Sequence, residues 1–136
     1  MRQTPKLWQA TYEATNPEDL AEAYRKWAGL YDQDTRDVMG YVGPETAATI
    51  LDCYMESKDC RVLDAGCGTG LVGEILNQLG YANVDAMDYS SDMLSVAEKK
   101  EVYKKLFRDD MNKKLDIADD TYDASICVGT FTYAHV

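Results

Sequence analysis

Long apolar runs are missing from this chain. No stretch approaches the roughly 18 apolar residues needed to span a bilayer, and the opening MRQTPKLWQATYEATNPEDL lacks the apolar core of a signal peptide. Histidine occurs once, at His135. The four cysteines, Cys53, Cys60, Cys67 and Cys127, never fall in a CxxC pair, so the spacing of a zinc site is absent. Scattered thiols of this kind suit reduced cysteines in a cytosolic or nuclear protein. Basic residues are scarce too: fourteen Lys and Arg stand against twenty-four Asp and Glu, a net charge of -10. A duplex or polyphosphate strand is repelled by such a field unless a local basic patch intervenes. The densest basic cluster, Lys99, Lys100, Lys104 and Lys105, is broken by Glu101 and followed by Asp109 and Asp110, which makes it a solvated helix end and strand start. Nucleic acid is therefore a poor partner. Three prolines and no low-complexity run leave no obvious linker, and 136 residues suffice for one domain with a core.

What is present divides at about residue 60. The first part reads as helical. Asn16-Pro17-Glu18-Asp19 supplies an N-cap, a proline at the first helical position and acids at the positive end of the dipole. Leu20, Tyr24, Trp27 and Ala28 follow on one apolar face. A short helix is expected over 34–39, and Gly43-Pro44-Glu45 opens another with Ala47, Ile50, Leu51 and Tyr54 inward. From residue 61 strands alternate with helices. Strands are expected over 61–65, 83–88, 102–107 and 122–128, with helices over 71–79 and from a Ser91 cap to about 100, and a polar turn over 116–120. That alternation indicates an α/β, doubly wound parallel sheet. The fourth strand ends eight residues before Val136. Buried parallel strands have neighbours on both sides, so the expectation is an N-terminal piece of a larger domain: residues 1–60 a helical cap, 61–136 a cofactor-binding half, with the C-terminal strands missing.

RVLDAGCGTG, residues 61–70, raises the functional question. Ligands of open parallel sheets bind beyond the carboxyl ends of the strands. Glycines there admit positive φ and a close approach to the main chain, and the following helix offers free N–H groups. Gly68, Gly70 and Gly73 formally satisfy the dinucleotide pattern GxGxxG, and Asp88 stands where a ribose-binding acid belongs. Asp64, immediately ahead of the loop, argues otherwise: it repels a pyrophosphate and attracts an ammonium or sulfonium.

LDAGCGTG resembles the first motif of the class I S-adenosylmethionine-dependent methyltransferases, an acid followed by GxGxG. The resemblance continues in order over about residues 61–131. Asp88 in VDAMDYS matches the acid that holds both ribose hydroxyls, and Asp110 in RDDMN the acid that accepts from the adenine amino group. Met111 offers a backbone N–H to the ring, and Asp123 in TYDASICVG opens the fourth strand. AYRKWAGLYDQD and GYVGPETAA are similar to the methyltransferase-like proteins named after the Williams–Beuren chromosomal region. The resemblance implies a Rossmann-like sheet, S-adenosyl-L-methionine as cofactor, and a binding set of Asp64, Ala65, Gly66, Cys67, Gly68, Gly70, Asp88, Tyr89, Met93, Asp110, Met111 and Gly129. By it, Trp27 and Tyr31 cover the methionine end.

Plainer readings stand beside these. Asp64 could cap the following helix, Asp88 could be a turn acid, and Asp109 rivals Asp110 at the adenine. Cys67 is a small loop residue, since no histidine lies near it in sequence to activate the thiol. Trp27, Tyr24 and Met93 also suit core packing. Terminal His135 reads as incidental, and no residue stands out as a catalytic base. The acceptor pocket is expected between the N-terminal helices and the segment after the fourth strand, with Thr130, Phe131 and Tyr133 as its first wall; the methyl acceptor and the oligomeric state are not legible. Three functions follow from these residues: methyl transfer to a small molecule or protein, a nicotinamide-dependent oxidoreductase, and a cofactor-binding scaffold without catalysis.

Overall fold

A computed structural model describes residues 9–30 and 42–130. The helix expected over 34–39 lies outside the described residues, as do Tyr31, Phe131, Tyr133 and His135. Two helices come first, α1 (Gln9–Glu13) and α2 (Pro17–Trp27). Asn16 caps α2 through its side-chain oxygen, which accepts from the Asp19 N–H at 2.8 Å. Trp27 and Ala28 are buried on the α2 face, while Leu20 and Tyr24 are half-buried.

Helix α3 (Gly43–Tyr54) presents a different face from the expected one. Pro44 and Ala48 are buried, with Ala47 and Leu51 packed on the core, whereas Ile50 is 54% and Tyr54 82% exposed. A rotation of about 100° per residue gathers 44, 47, 48 and 51 into one arc and swings 50 off it, while Tyr54 stands at the rim as the last residue of the helix.

The sheet is built from β1 (Val62–Ala65), β2 (Val84–Asp88), β3 (Lys105–Arg108) and β4 (Ala124–Ile126), in the order β3-β2-β1-β4 and all parallel. Helix α4 (Leu71–Gln78) joins β1 to β2, and α5 (Ser91–Glu98) joins β2 to β3. Every residue of β1 is buried, as its central place requires. Helix α4 ends on Gly80 at φ 99°, with the Gly80 N–H on Asn77 O and the Tyr81 N–H on Leu76 O, a Schellman stop.

Three expectations shift here. Ser90, not Ser91, caps α5, its hydroxyl accepting from the Met93 N–H. The third strand starts at Lys105, three residues late, because Tyr103 turns inward. The fourth shrinks to three residues, because the segment before Ala124 is taken up by Arg61: Asp123 and Ala124 both donate to its carbonyl.

The two faces of the sheet bury different sets. Val62 and Val84 pack with Ala48, Val72, Leu76 and Tyr81 beneath α3 and α4. Leu63, Ala65 and Met87 face the other way and are covered by Phe107 and by Met111, Leu115, Ile117 and Tyr122 from the β3–β4 connection. The turn expected to be polar over 116–120 thus carries apolar Ile117 inward between its acids.

Candidate functional site

Chain order runs β1, β2, β3 to one side of the sheet and then returns to place β4 on the other side of β1. The crevice at that reversal is where open parallel sheets bind ligands. A cavity of about 550 Å³ lies there, within the range of small-molecule sites. Its floor is the glycine loop (Gly66, Gly68) and the end of β2 (Met87, Asp88, Tyr89). Its walls are Asp109–Asn112 after β3, Val128–Thr130 after β4, Met93 of α5, and Thr15 to Tyr24 at the start of α2.

The loop is shaped by its glycines at two places. Gly66 has φ 66°, and a Cβ there would come within 2.4 Å of Thr130 Oγ1. Gly68 has φ 55°, yet a Cβ there would meet no protein atom within 4 Å. Gly68 borders the cavity, so that open space faces a ligand rather than the protein's own packing. The loop is pinned by the Cys67 N–H on Met87 O at 2.9 Å and by the Gly68 N–H on Asp88 Oδ2 at 2.8 Å. That second bond has chemical meaning. A loop N–H that a pyrophosphate binder offers to its ligand is here given to the protein's own carboxylate.

Asp88 also accepts from the Ser90 N–H at 2.8 Å. Burial pushes its carboxyl above the ordinary range, and the Ser90, Gly68 and Tyr89 N–H groups pull it back. Asp64 is 1% exposed and lines a small cleft on the other side of the loop, together with Gly66, Cys67, Gly68 and Pro44 of α3. It does not border the main cavity. Burial pushes its carboxyl up to about 7; a hydrogen bond from Tyr103 lowers it, and the Asp88 charge raises it. Cys67 is buried and its thiol is pushed far up, first by burial and then by Asp64 and Asp88, so it stays protonated.

After β3 the two neighbouring acids divide. Asp109 gives one oxygen to the Asp110 N–H and the other to the Asp116 N–H. Asp110 holds the Asn112 N–H and side-chain amide with Oδ1, while Oδ2 meets Lys113 at 3.8 Å. Both border the cavity, but Asp109 is committed to backbone at both oxygens and Asp110 at one. Tyr89 is 48% exposed over the cavity and is braced from behind by Arg108, which donates to its carbonyl and lies 4.8 Å from its ring. Among the described residues that line the cavity there is no Lys, Arg or His. Three carboxylates and no cation make a poor site for phosphate and a fitting one for a neutral nucleoside with a cationic group, such as an adenosyl sulfonium.

Most of the sequence-selected residues gather at this point. Gly66, Gly68, Asp88, Tyr89, Met93, Asp110, Met111 and Gly129 border the cavity. Asp64 and the loop residue Cys67 line the small cleft instead, Ala65 packs with Leu63 and Met87 in the core, and Gly70 caps α4 against the Tyr103 ring. Trp27 lies apart from the cavity. It is 4% exposed and stacks on Tyr24 at 6.2 Å, and the cavity is bordered instead by Leu20, Ala21 and Tyr24. Trp27 shares a face with Leu20 and Tyr24 but is the last residue of α2, about two turns beyond Leu20 along the axis. Asp123, which opens the fourth strand, lies at the opposite end of the sheet, where it binds the Arg61 N–H at 2.7 Å. Leu20, Ala21 and Asn16 were missed as cavity residues; they border an open cavity, and a helix face lining a cavity has the same spacing as one lining a core. Tyr103 was missed because it belongs to no motif.

A family profile described as "Methyltransferase domain" matches residues 62–136. Methyltransferase-like protein 27 of Homo sapiens is 31% identical over 127 residues, covering 87% of this chain and 50% of that protein. The 18S rRNA (guanine-N(7))-methyltransferase of Bos taurus is 38% identical over 101 residues, covering 74% of this chain and 36% of its own length. The chain therefore spans half or less of these relatives. In fold it is similar to a putative S-adenosyl-L-methionine-dependent methyltransferase of Methanococcus maripaludis, with a TM-score of 0.64, 19% identity, and coverage of 78% of this chain and 50% of that one. With the sheet order, the glycine loop and the acids that close β1 and β2 and follow β3, these matches identify the chain as a member of the class I S-adenosylmethionine-dependent methyltransferases.

Proposed function

We propose that this chain forms the cofactor-binding part of an enzyme that transfers a methyl group from S-adenosyl-L-methionine to a small-molecule or protein acceptor. One observation carries the reading: the Gly68 N–H is given to the half-buried Asp88 carboxylate at the floor of an acid-lined cavity. A nicotinamide dinucleotide would have to displace that bond and set its pyrophosphate against three carboxylates.

In this reading Asp88 accepts from the ribose hydroxyls. Asp110, with Oδ2 facing only a distant lysine, accepts from the adenine amino group, and the Met111 N–H meets the ring. Tyr89 and Met93 hold the adenine faces, and Asp64 attracts the positively charged amino acid end from behind the loop. When bound, the cofactor supplies the electrophilic methyl, so the protein has to align an acceptor and keep water out. A base is needed only where the acceptor must lose a proton. Among the described residues bordering the cavity, the candidates for that task are the Asp carboxylates and the phenols of Tyr24 and Tyr89.

Residues 1–60 act as a cap over residues 61–136 in this proposal, supported by the cavity-facing start of α2 and by α3, which packs on α4. The rRNA acceptor named for the Bos taurus relative is not carried over, because the net charge of -10 and the acidic lining disfavour a polyanion. A reducing compartment, cytoplasmic or nuclear, suits the four free cysteines. No helix among the described residues is long and apolar enough to cross a membrane.

Calorimetric titration of S-adenosylmethionine and S-adenosylhomocysteine into the chain tests the site. Saturable binding, lost in Asp88→Ala and untouched by NADH, is the expected result. Binding of NADH in place of the adenosyl ligands would sink the reading.

A further inference from the structure

Tyr103 crosses from the segment before β3 to the underside of the glycine loop, where its hydroxyl donates to Asp64 Oδ2 at 2.5 Å. The Gly73 backbone lies beside the same phenol: its N–H pulls the phenol pKa down, and an ideal Cβ on Gly73 would lie 2.4 Å from the phenol oxygen. Gly73 is the third residue of α4, and a helix leaves its first N–H groups without partners inside the helix. Gly70, the N-cap, has no side chain to supply one. Tyr103 thus comes from a distant part of the chain to lie against this bare helix start.

The ring needs room, and two glycines provide it. A Cβ at Gly73 would lie 2.3 Å from Tyr103 Cζ, and one at Gly70 would lie 3.1 Å from Cε2. Gly73 completes the formal GxGxxG, yet what it accommodates is a tyrosine ring, not a phosphate. The groups that act on Asp64 or are acted on by it come from every surrounding element: Tyr103 before β3, Asp88 of β2, Cys67 in the loop and Cys127 after β4. Tyr103 favours the carboxylate, Asp88 opposes it, and the two thiols are neutral. Lys100, just after α5 and paired with Glu74 at 2.9 Å, acts on Cys67.

We propose that Tyr103 is a positioning residue of the cofactor site: its hydroxyl, bonded to Asp64 Oδ2, fixes the orientation of that carboxyl behind the glycine loop, and Gly73 is a glycine because the ring must pass there. The functional half of this rests on the cofactor reading above; the hold on Asp64 does not.

The test follows the Asp64 carboxyl by carbon NMR across pH in the 136-residue chain and in Tyr103→Phe, alongside calorimetric binding of S-adenosylmethionine. Loss of the hydroxyl should move the Asp64 titration upward by about one pH unit. It should weaken binding at neutral pH by about tenfold, a deficit that narrows as alkaline pH ionises Asp64 in both proteins. An unchanged titration in Tyr103→Phe overturns the proposal whatever the ligand does. Absence of binding by the parent chain overturns the cofactor reading instead, and the titration still decides on Tyr103. A second variant guards against misfolding: Gly73→Ala should lower Tm in the parent and do so much less beside Tyr103→Leu. Equal losses in both backgrounds also overturn the proposal.

Discussion

Asp64 is an acid kept almost wholly out of water, and that has a thermodynamic signature. An ordinary aspartate ionises near 3.8 and this one near 7. Between those values the folded chain retains a proton that the unfolded chain has lost, so stability falls as pH rises across the window and is lowest above it. Asp88, also raised by burial, adds to the same slope. Asp52 and Asp123 are held below the ordinary range by their hydrogen-bonded partners, so their contribution is lost only as the solution turns acid. At about 1.4 kcal/mol per pH unit, full ionisation of Asp64 costs on the order of 4 kcal/mol. Asp64→Asn is therefore expected to raise Tm above pH 7, with the gain shrinking towards about pH 4, when unfolding is followed against pH. A gain that is flat across pH would mean that another group titrates. A cation placed near Asp64 reverses the cost, which ties this pH-dependent loss of stability to a preference for a positively charged ligand.

At the scale of elements, the β2–α5 junction couples a ligand residue to a cap. Asp88 ends β2, the Ser90 N–H binds its carboxylate, and the Ser90 hydroxyl accepts from the Met93 N–H at 3.3 Å. Ser90→Ala should cost about 1 kcal/mol in chemical denaturation. Because Met93 borders the cavity, it should also weaken adenosyl ligand binding, and Ser90→Thr should restore both. Much of this layout was legible in the sequence: the alternation of elements, the Asn16 cap and the glycine loop with acids at successive strand ends are all local patterns. What was not legible depends on contacts between distant segments. Tyr103 left the expected strand to reach Asp64, the buried arc of α3 followed its packing on α4, and Ile117 was hidden in an acidic turn by the sheet face it covers. Ser90 lost out to its neighbour Ser91 because either serine suits a cap and the neighbouring Asp88 carboxylate decides between them.

Across the whole molecule, β1 is the keel: it pairs with β2 on one side and β4 on the other. The β2 partnership closes through α4, whereas the β4 partnership joins residues separated by 62 positions, held at its edge by Asp123 on the Arg61 N–H and guanidinium. Asp123→Ala should speed hydrogen exchange at the β4 amides while leaving β2 and β3 protected, since neighbouring pairings can open separately. Equal acceleration in all strands would make the four a single cooperative unit. Pairing across so long a stretch of chain is slow to form. The Val128–Thr130 wall, with Thr130 lodged against bare Gly66, follows that last strand. On a ribosome, then, the glycine loop and its acids are made well before the pocket they serve: a nascent chain halted short of residue 124 carries that loop with Asp64, Asp88 and Asp110 and offers an open shelf.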